Sequence, residues 1–172
     1  MIDQLFLNYS ADQLLTFCGR IEDCLGRLTA EQVWMRTSDN QNAVGNIVLH
    51  LAGNVRQWII GAVGGQPDIR DRASEFAARG GMQPAELALK LKGTVSEAAE
   101  IIRQFPPERL TERKVIQKFY DATLMEAIYH VVEHFGMHTG QVIFATKLLT
   151  GEDLKYYQHL NEPAGAAGTP SN

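Results

Sequence analysis

Apolar side chains recur at three- and four-residue spacings in four separate stretches of the chain, the period an α-helix needs to bury one face. The first stretch holds Leu14, Leu15, Cys18, Ile21, Leu25 and Leu28, with Ser10 placed to cap a helix from about Ala11 to Leu28. A polar loop with a short helical turn near Ala30 to Val33 follows, in which Trp34 reads as a core anchor. The second stretch, AVGNIVLHLAGNVRQWIIGAVGG, predicts a helix from about Ala43 to Ala62, ended by Gly64, Gly65 and Pro67. Pro84 suits the first turn of a third helix, whose Leu87, Leu91, Val95, Ala98, Ile101 and Ile102 run to about Gln104, where Phe105-Pro106-Pro107 stops it. The fourth and longest helix spans about Leu124 to Leu149, with Gly151 as its stop.

The connections are read from what they lack. Residues Asp68 to Gln83 are polar and predict an exposed connection with a helical turn, able to pass beside a binding site. In RLTERKVIQKFYDA, Val115, Ile116, Phe119 and Tyr120 have β-like character but no clean alternation and no obvious partner strand, so an extended connection is expected. For Phe119 and Tyr120, core packing is expected over a role as pocket walls. EDLKYYQHL suggests a short C-terminal helix, and NEPAGAAGTPSN is too poor in apolar residues to pack. The expectation is an all-α fold, an antiparallel four-helix bundle forming one domain over residues 1–160, with a disordered tail over 161–172.

Composition narrows the function classes. A formal net charge of -4 gives no electrostatic footprint for nucleic acid. No apolar run is long enough for a membrane span, and MIDQLFLNYS lacks the basic and apolar regions of a signal peptide. A cytoplasmic protein with neither nucleic-acid nor membrane partner is expected. Cys18 and Cys24 turn about 240° from each other on a helix, poorly placed to bridge, so reduced thiols are expected.

Three of the five histidines fall in YHVVEHFGMHTGQ, at His130, His134 and His138. Successive members drift by about 40° on a helix, so they form one stripe. His134 and His138, at i and i+4, can share one ion; three ligands in a row on a straight helix cannot all converge. HVVEH is not an HExxH motif, because Glu133 stands directly before the second histidine, and Glu133 is expected in a flanking salt bridge. A third ligand can come from His50 or His159. His50 is favoured, because Asn46, Asn54 and Gln57 lie within about 40° of it and form a polar edge beside Ile47, Leu51, Val55 and Trp58. Trp58 fits that apolar stripe, and Arg56 is expected to face solvent. The competing reading is a set of hydrogen-bonded or solvated histidines with no metal.

NIVLHLAGNVRQWI and HVVEHFGMHTGQ together resemble segments of the DinB/YfiT superfamily of metal-binding four-helix bundles, in particular a subgroup of unknown function, and the resemblance spans about Leu5 to Leu149. It implies a divalent ion, zinc, nickel or iron, held by His50, His134 and His138, with His130 at a position that usually does not ligate. Thr139 stands where many members carry a basic residue, which removes that residue's anion-binding role. The resemblance also implies a homodimer, and characterised members include enzymes that activate a low-molecular-weight thiol for transfer or isomerisation.

Three neutral imidazoles with an open coordination position are the pattern of a catalytic or substrate-binding ion, whereas structural zinc is usually closed by four ligands. The expected function is therefore a metal-dependent thiol S-transferase acting on a small molecule. His130, Asn54 and Gln141 are expected to orient ligands or substrate. A non-catalytic, metal-stabilised dimeric binding protein and a metal-dependent hydrolase are the alternatives.

Overall fold

The computed structural model describes residues 2–161, and the long helices follow the apolar periodicity. Helix α1 runs Ile2–Arg27 and buries Leu7, Ala11, Leu14, Cys18, Ile21 and Leu25 along one face. It starts well before Ala11 because that periodicity already begins at Leu7. Ser10 is therefore a buried residue within the helix and not its cap.

Thr29 caps the short helix α2, Ala30–Trp34, through a reciprocal capping box with Gln32. The Trp34 indole donates to the Met82 carbonyl at 2.9 Å, and its ring lies so close to Gly45 that a Cβ there would approach it to 2.8 Å. Trp34 thus anchors the loop before helix α3, Val44–Val55. The same rod continues as a π-helix over Arg56–Val63, closed by Gly64 N–H donating to Ile59 O at 2.7 Å.

Helix α4 is a short piece, Arg72–Ala77, within the connection that was expected to be exposed. Helix α5, Pro84–Gln104, begins at the predicted proline. Strands β1, Arg113–Ile116, and β2, Tyr120–Thr123, correct the expectation of an unpaired extended segment. They pair antiparallel with each other, Arg113 opposite Thr123 and Ile116 opposite Tyr120. Four residues per strand are too few for alternation to show. The turn also lacks the Asn-Gly signal, placing Gln117 and Lys118 at φ 54° and 66° instead.

Helix α6, Leu124–Thr150, starts with a Thr123–Glu126 capping box and ends at Gly151, whose left-handed φ of 71° a glycine adopts without strain. The expected C-terminal helix is reduced to a 3₁₀ turn over Gln158–Asn161. The tail beyond residue 161 lies outside the described residues.

The fold is all-α apart from that one hairpin. Helix α1 packs on α5 and α6, and α3 packs on the same two, so the four long helices contact each other in a ring. Phe135 is fully buried in the core, with Phe17 stacked at 6.5 Å between ring centroids. Among the described residues, no helix is long and apolar enough to cross a membrane.

Candidate metal centre

His50 projects from the middle of α3 and His134 and His138 from one face of α6, where those two helices pack. The Nε2 atoms converge. His134 Nε2 lies 3.0 Å from His50 Nε2 and 3.2 Å from His138 Nε2, and the three ligand atoms all lie within 4.8 Å of one another. The rings meet edge-on, at interplanar angles of 68°, 78° and 79°. A tetrahedral ion with metal–nitrogen bonds of about 2.0–2.1 Å spaces its ligand nitrogens by about 3.3 Å. The observed separations are close to that, and these three residues can hold a metal ion.

The outer nitrogens show which lone pairs point inward. His138 Nδ1 lies 2.7 Å from Gln141 Oε1 and His50 Nδ1 lies 3.2 Å from Glu75 Oε2. Glu75 Oε2 and Gln141 Oε1 can each accept from the Nδ1 beside it, and the tautomers that do so direct both Nε2 lone pairs toward His134 Nε2. A single proton on His134 Nε2 can serve one of them only. A cation among the three nitrogens satisfies the whole set. Burial, followed by the neighbouring His138, His50 and His130 and by Arg70, lowers the His134 pKa to about 3, which leaves its imidazole neutral and able to ligate. Burial also lowers the pKa of His138, against the opposing hydrogen bond to Gln141.

Glu75 and Arg70 were not singled out from the sequence. Asp71 caps α4 by accepting from Ser74 N–H at 3.2 Å, and Asn46 Nδ2 donates to the Glu75 and Ala78 carbonyls at 2.8 and 3.0 Å, pinning α4 against α3. The Arg70 side chain, 3% exposed, grips the Glu75 carboxylate with two bonds of 2.7 Å, from Nε to Oε1 and from Nη2 to Oε2. Arg70 Nη2 also lies 2.9 Å from His50 Nδ1, to which it donates only in the tautomer that carries its proton on Nε2; the Glu75 contact serves the other tautomer, the one a metal at Nε2 selects. Burial alone would raise the Glu75 pKa, but the bonds from Arg70 and His50 outweigh it and hold the carboxyl below its ordinary range. Gly53 makes room, since a Cβ there would lie 1.9 Å from Glu75 Oε1. The signal in the sequence was a glycine inside a strongly helical segment, which marks close approach of another group.

The other expected site residues divide. Gln141 does bond a histidine at the centre. Asn54 is buried, and its Oδ1 has no protein partner among the described residues, as is also true of His134 Nδ1. His130 stays apart: its ring packs 4.4 Å from Trp58 and 5.5 Å from His134, and burial lowers its pKa. Thr139 turns into the core, donating to Phe135 O at 2.8 Å. Glu133 is exposed and forms no ion pair among the described residues, contrary to expectation. Arg56 is half-buried rather than solvent-facing.

Phe119 and Tyr120, at 86% and 55% exposure, are not core residues; they wall a recess beside Arg70. Cys18 and Cys24 are free and buried, bonded to Glu22 and Tyr156, and neither joins the histidines. The side chain of His159 lies outside what the structure describes.

No curated protein matches the chain. Among solved structures, it is similar to one described as "Crystal structure of the conserved protein of locus from Enterococcus faecalis", with a TM-score of 0.70 over 84% of this chain and 96% of that one. At 19% identity, this likeness concerns the fold. The family described as "Protein of unknown function (DUF1572)" matches residues 2–163, and the chain belongs to it.

Proposed function

We propose that the chain is a DinB/YfiT-type metalloenzyme in which His50, His134 and His138 hold a divalent ion, and that it transfers a low-molecular-weight thiol to a small electrophile. The observation that carries this reading is the convergence of three Nε2 atoms at 3.0 and 3.2 Å, with Glu75 and Gln141 placed to accept from the Nδ1 atoms of the outer two. When bound, the ion supplies Lewis acidity that lowers the pKa of a coordinated thiol or water. The protein's own groups set the stage for it. Arg70 keeps Glu75 ionised, and Glu75 stands ready to accept from His50 Nδ1 when Nε2 ligates. Phe76, 4.9 Å from the His50 ring, and Trp58, against His130, limit water beside the imidazoles. His130 and Asn54 remain available to orient the substrate. Imidazole ligands suit zinc, nickel or iron, and the free thiols Cys18 and Cys24 suit the reducing cytoplasm.

Protein purified without an affinity tag should carry near-stoichiometric divalent metal by elemental analysis, lost in both His50→Ala and His134→Ala. A thiol panel offered with a reactive electrophile should then give metal-dependent conjugation. Its absence across the panel would sink the transferase reading.

A second reading, a metal-stabilised dimeric binding protein without turnover, is favoured by one surface feature. Met125, Tyr129, Met137, Phe144 and Leu148 are all exposed along α6, an apolar stripe suited to a second copy of the chain. Sedimentation that shows a dimer, with no conjugation by any thiol, selects this reading.

A further inference from the structure

A recess of about 780 Å³ opens between the β1–β2 turn and the segment leading into α4. Three cations line it, Arg70, Arg72 and Lys118, against one carboxylate, Asp68. Asp68 is already engaged, accepting from Gln57 Nε2 at 2.7 Å and from the Arg70 backbone N–H at 3.1 Å. Arg70 is committed to Glu75. Arg72 and Lys118 form no ion pair among the described residues. Two cations without a carboxylate partner therefore face one opening, on a chain whose net charge is -4.

The rest of the wall is aromatic. Phe119 and Tyr120 present large apolar faces to solvent, which costs free energy unless something covers them. The turn that carries them is built under strain, with non-glycine residues at positive φ at Gln117 and Lys118, and it is tied to the protein by Gln117 bonding Gln57 at 2.6 Å. Each wall also reaches the imidazoles through one aromatic ring. Arg72 lies 4.7 Å over Phe76, which packs on His50, and Tyr120 lies 5.8 Å from Trp58, which packs on His130.

The geometry points to a binding site for an organic anion, a carboxylate on a flat apolar body, with Arg72 and Lys118 holding the carboxylate and Phe119 and Tyr120 holding the body. As the substrate of the histidine centre, this ligand rests on the function proposed above; its binding in the recess does not. A guanidinium and an ammonium supply charge-assisted hydrogen bonds to the carboxylate oxygens, and the rings supply faces against which a planar ligand stacks.

Calorimetric titration with 2-naphthoate and with neutral 2-naphthamide tests it, on the wild type, Arg72→Ala/Lys118→Ala, Phe119→Ala, and Lys92→Ala as a remote charge control. The expected result is naphthoate binding tighter than naphthamide, about tenfold weaker in the Arg72/Lys118 double variant and unchanged in the control. Phe119→Ala should weaken both probes. The proposal is overturned if the wild type binds the two probes equally or not at all, if the double variant keeps its naphthoate affinity, or if Lys92→Ala loses as much as the double variant. Metal content measured on the same samples separates the two proposals: a wild type without metal removes the metalloenzyme reading, while the naphthoate series still decides the recess.

Discussion

Two polar clusters hold elements of this fold together, and they are built on opposite principles. At the end near residue 156, the Tyr156 hydroxyl lies 2.8 Å from Asp23 Oδ2 and 3.1 Å from Arg20 O, and Arg27 joins Asp23 to Glu152. Every donor there meets an acceptor, the single Tyr156 hydrogen having Asp23 Oδ2 as the shorter of its two. At the histidine centre, the acceptors Glu75 and Gln141 stand outside, and three imidazole nitrogens face one another within with no acceptor or cation among them in the described residues. His134 Nδ1 and Asn54 Oδ1 are buried as well, without partners among the described residues. A closed network staples the C-terminal segment to α1; an inward-facing set of lone pairs asks for a cation. Charge and burial alone do not distinguish the two. The partner that each polar atom meets does.

The largest effect that would break this contrast comes from the middle histidine. His134→Ala should reduce bound divalent metal to background by elemental analysis, whereas Tyr156→Phe should leave it unchanged. Equal metal content in the two variants would erase the distinction. Next in size is Glu75→Gln, which removes the charge that Arg70 pairs with and weakens the acceptor for His50 Nδ1. Its metal affinity should fall about 10–100-fold in a competition titration with a chelating dye. Stability should drop too, by about 3–5 kcal/mol in denaturant unfolding, because Arg70 is left buried without its partner.

At the stapled end the effects are smaller. Tyr156→Phe should cost about 1 kcal/mol in the same unfolding measurement. A loss several times larger would mean that this cluster, too, does more than fasten. The smallest signal is an absence of reaction. Burial, then the bond to Glu22, pushes the Cys18 thiol from 9.0 up to about 12. A raised pKa keeps the thiol protonated, so at pH 8 its labelling by iodoacetamide should be negligible in the folded protein and appear on unfolding. Rapid labelling of Cys18 in the folded state would contradict this placement.

Much of the fold was legible because helix burial imprints a local period on the sequence. The convergence of His50 with His134 and His138 was legible for a related reason: the i, i+4 pair is a property of one helix, and the polar edge of Asn46, Asn54 and Gln57 marked the face of α3 turned toward partners. Glu75 and Arg70 left only an indirect trace, the glycine at position 53. They reach His50 because Asn46 pins α4 against α3, a tertiary event that a polar stretch of sequence does not announce. The hairpin was missed because each strand's partner is the other, across a turn made by glutamine and lysine. Phe119 and Tyr120 were misread because aromatic residues usually lie inside, and only the path of that turn carries them out.

Gly53 gives the centre a vulnerable point that has no side chain of its own. If variants of this chain were sorted by their ability to retain metal, position 53 would score among the histidines, since even alanine drives an atom into the Glu75 carboxylate. A map of mutational tolerance would thus mark as indispensable a residue that has no side chain with which to touch an ion, form a bond or carry a charge.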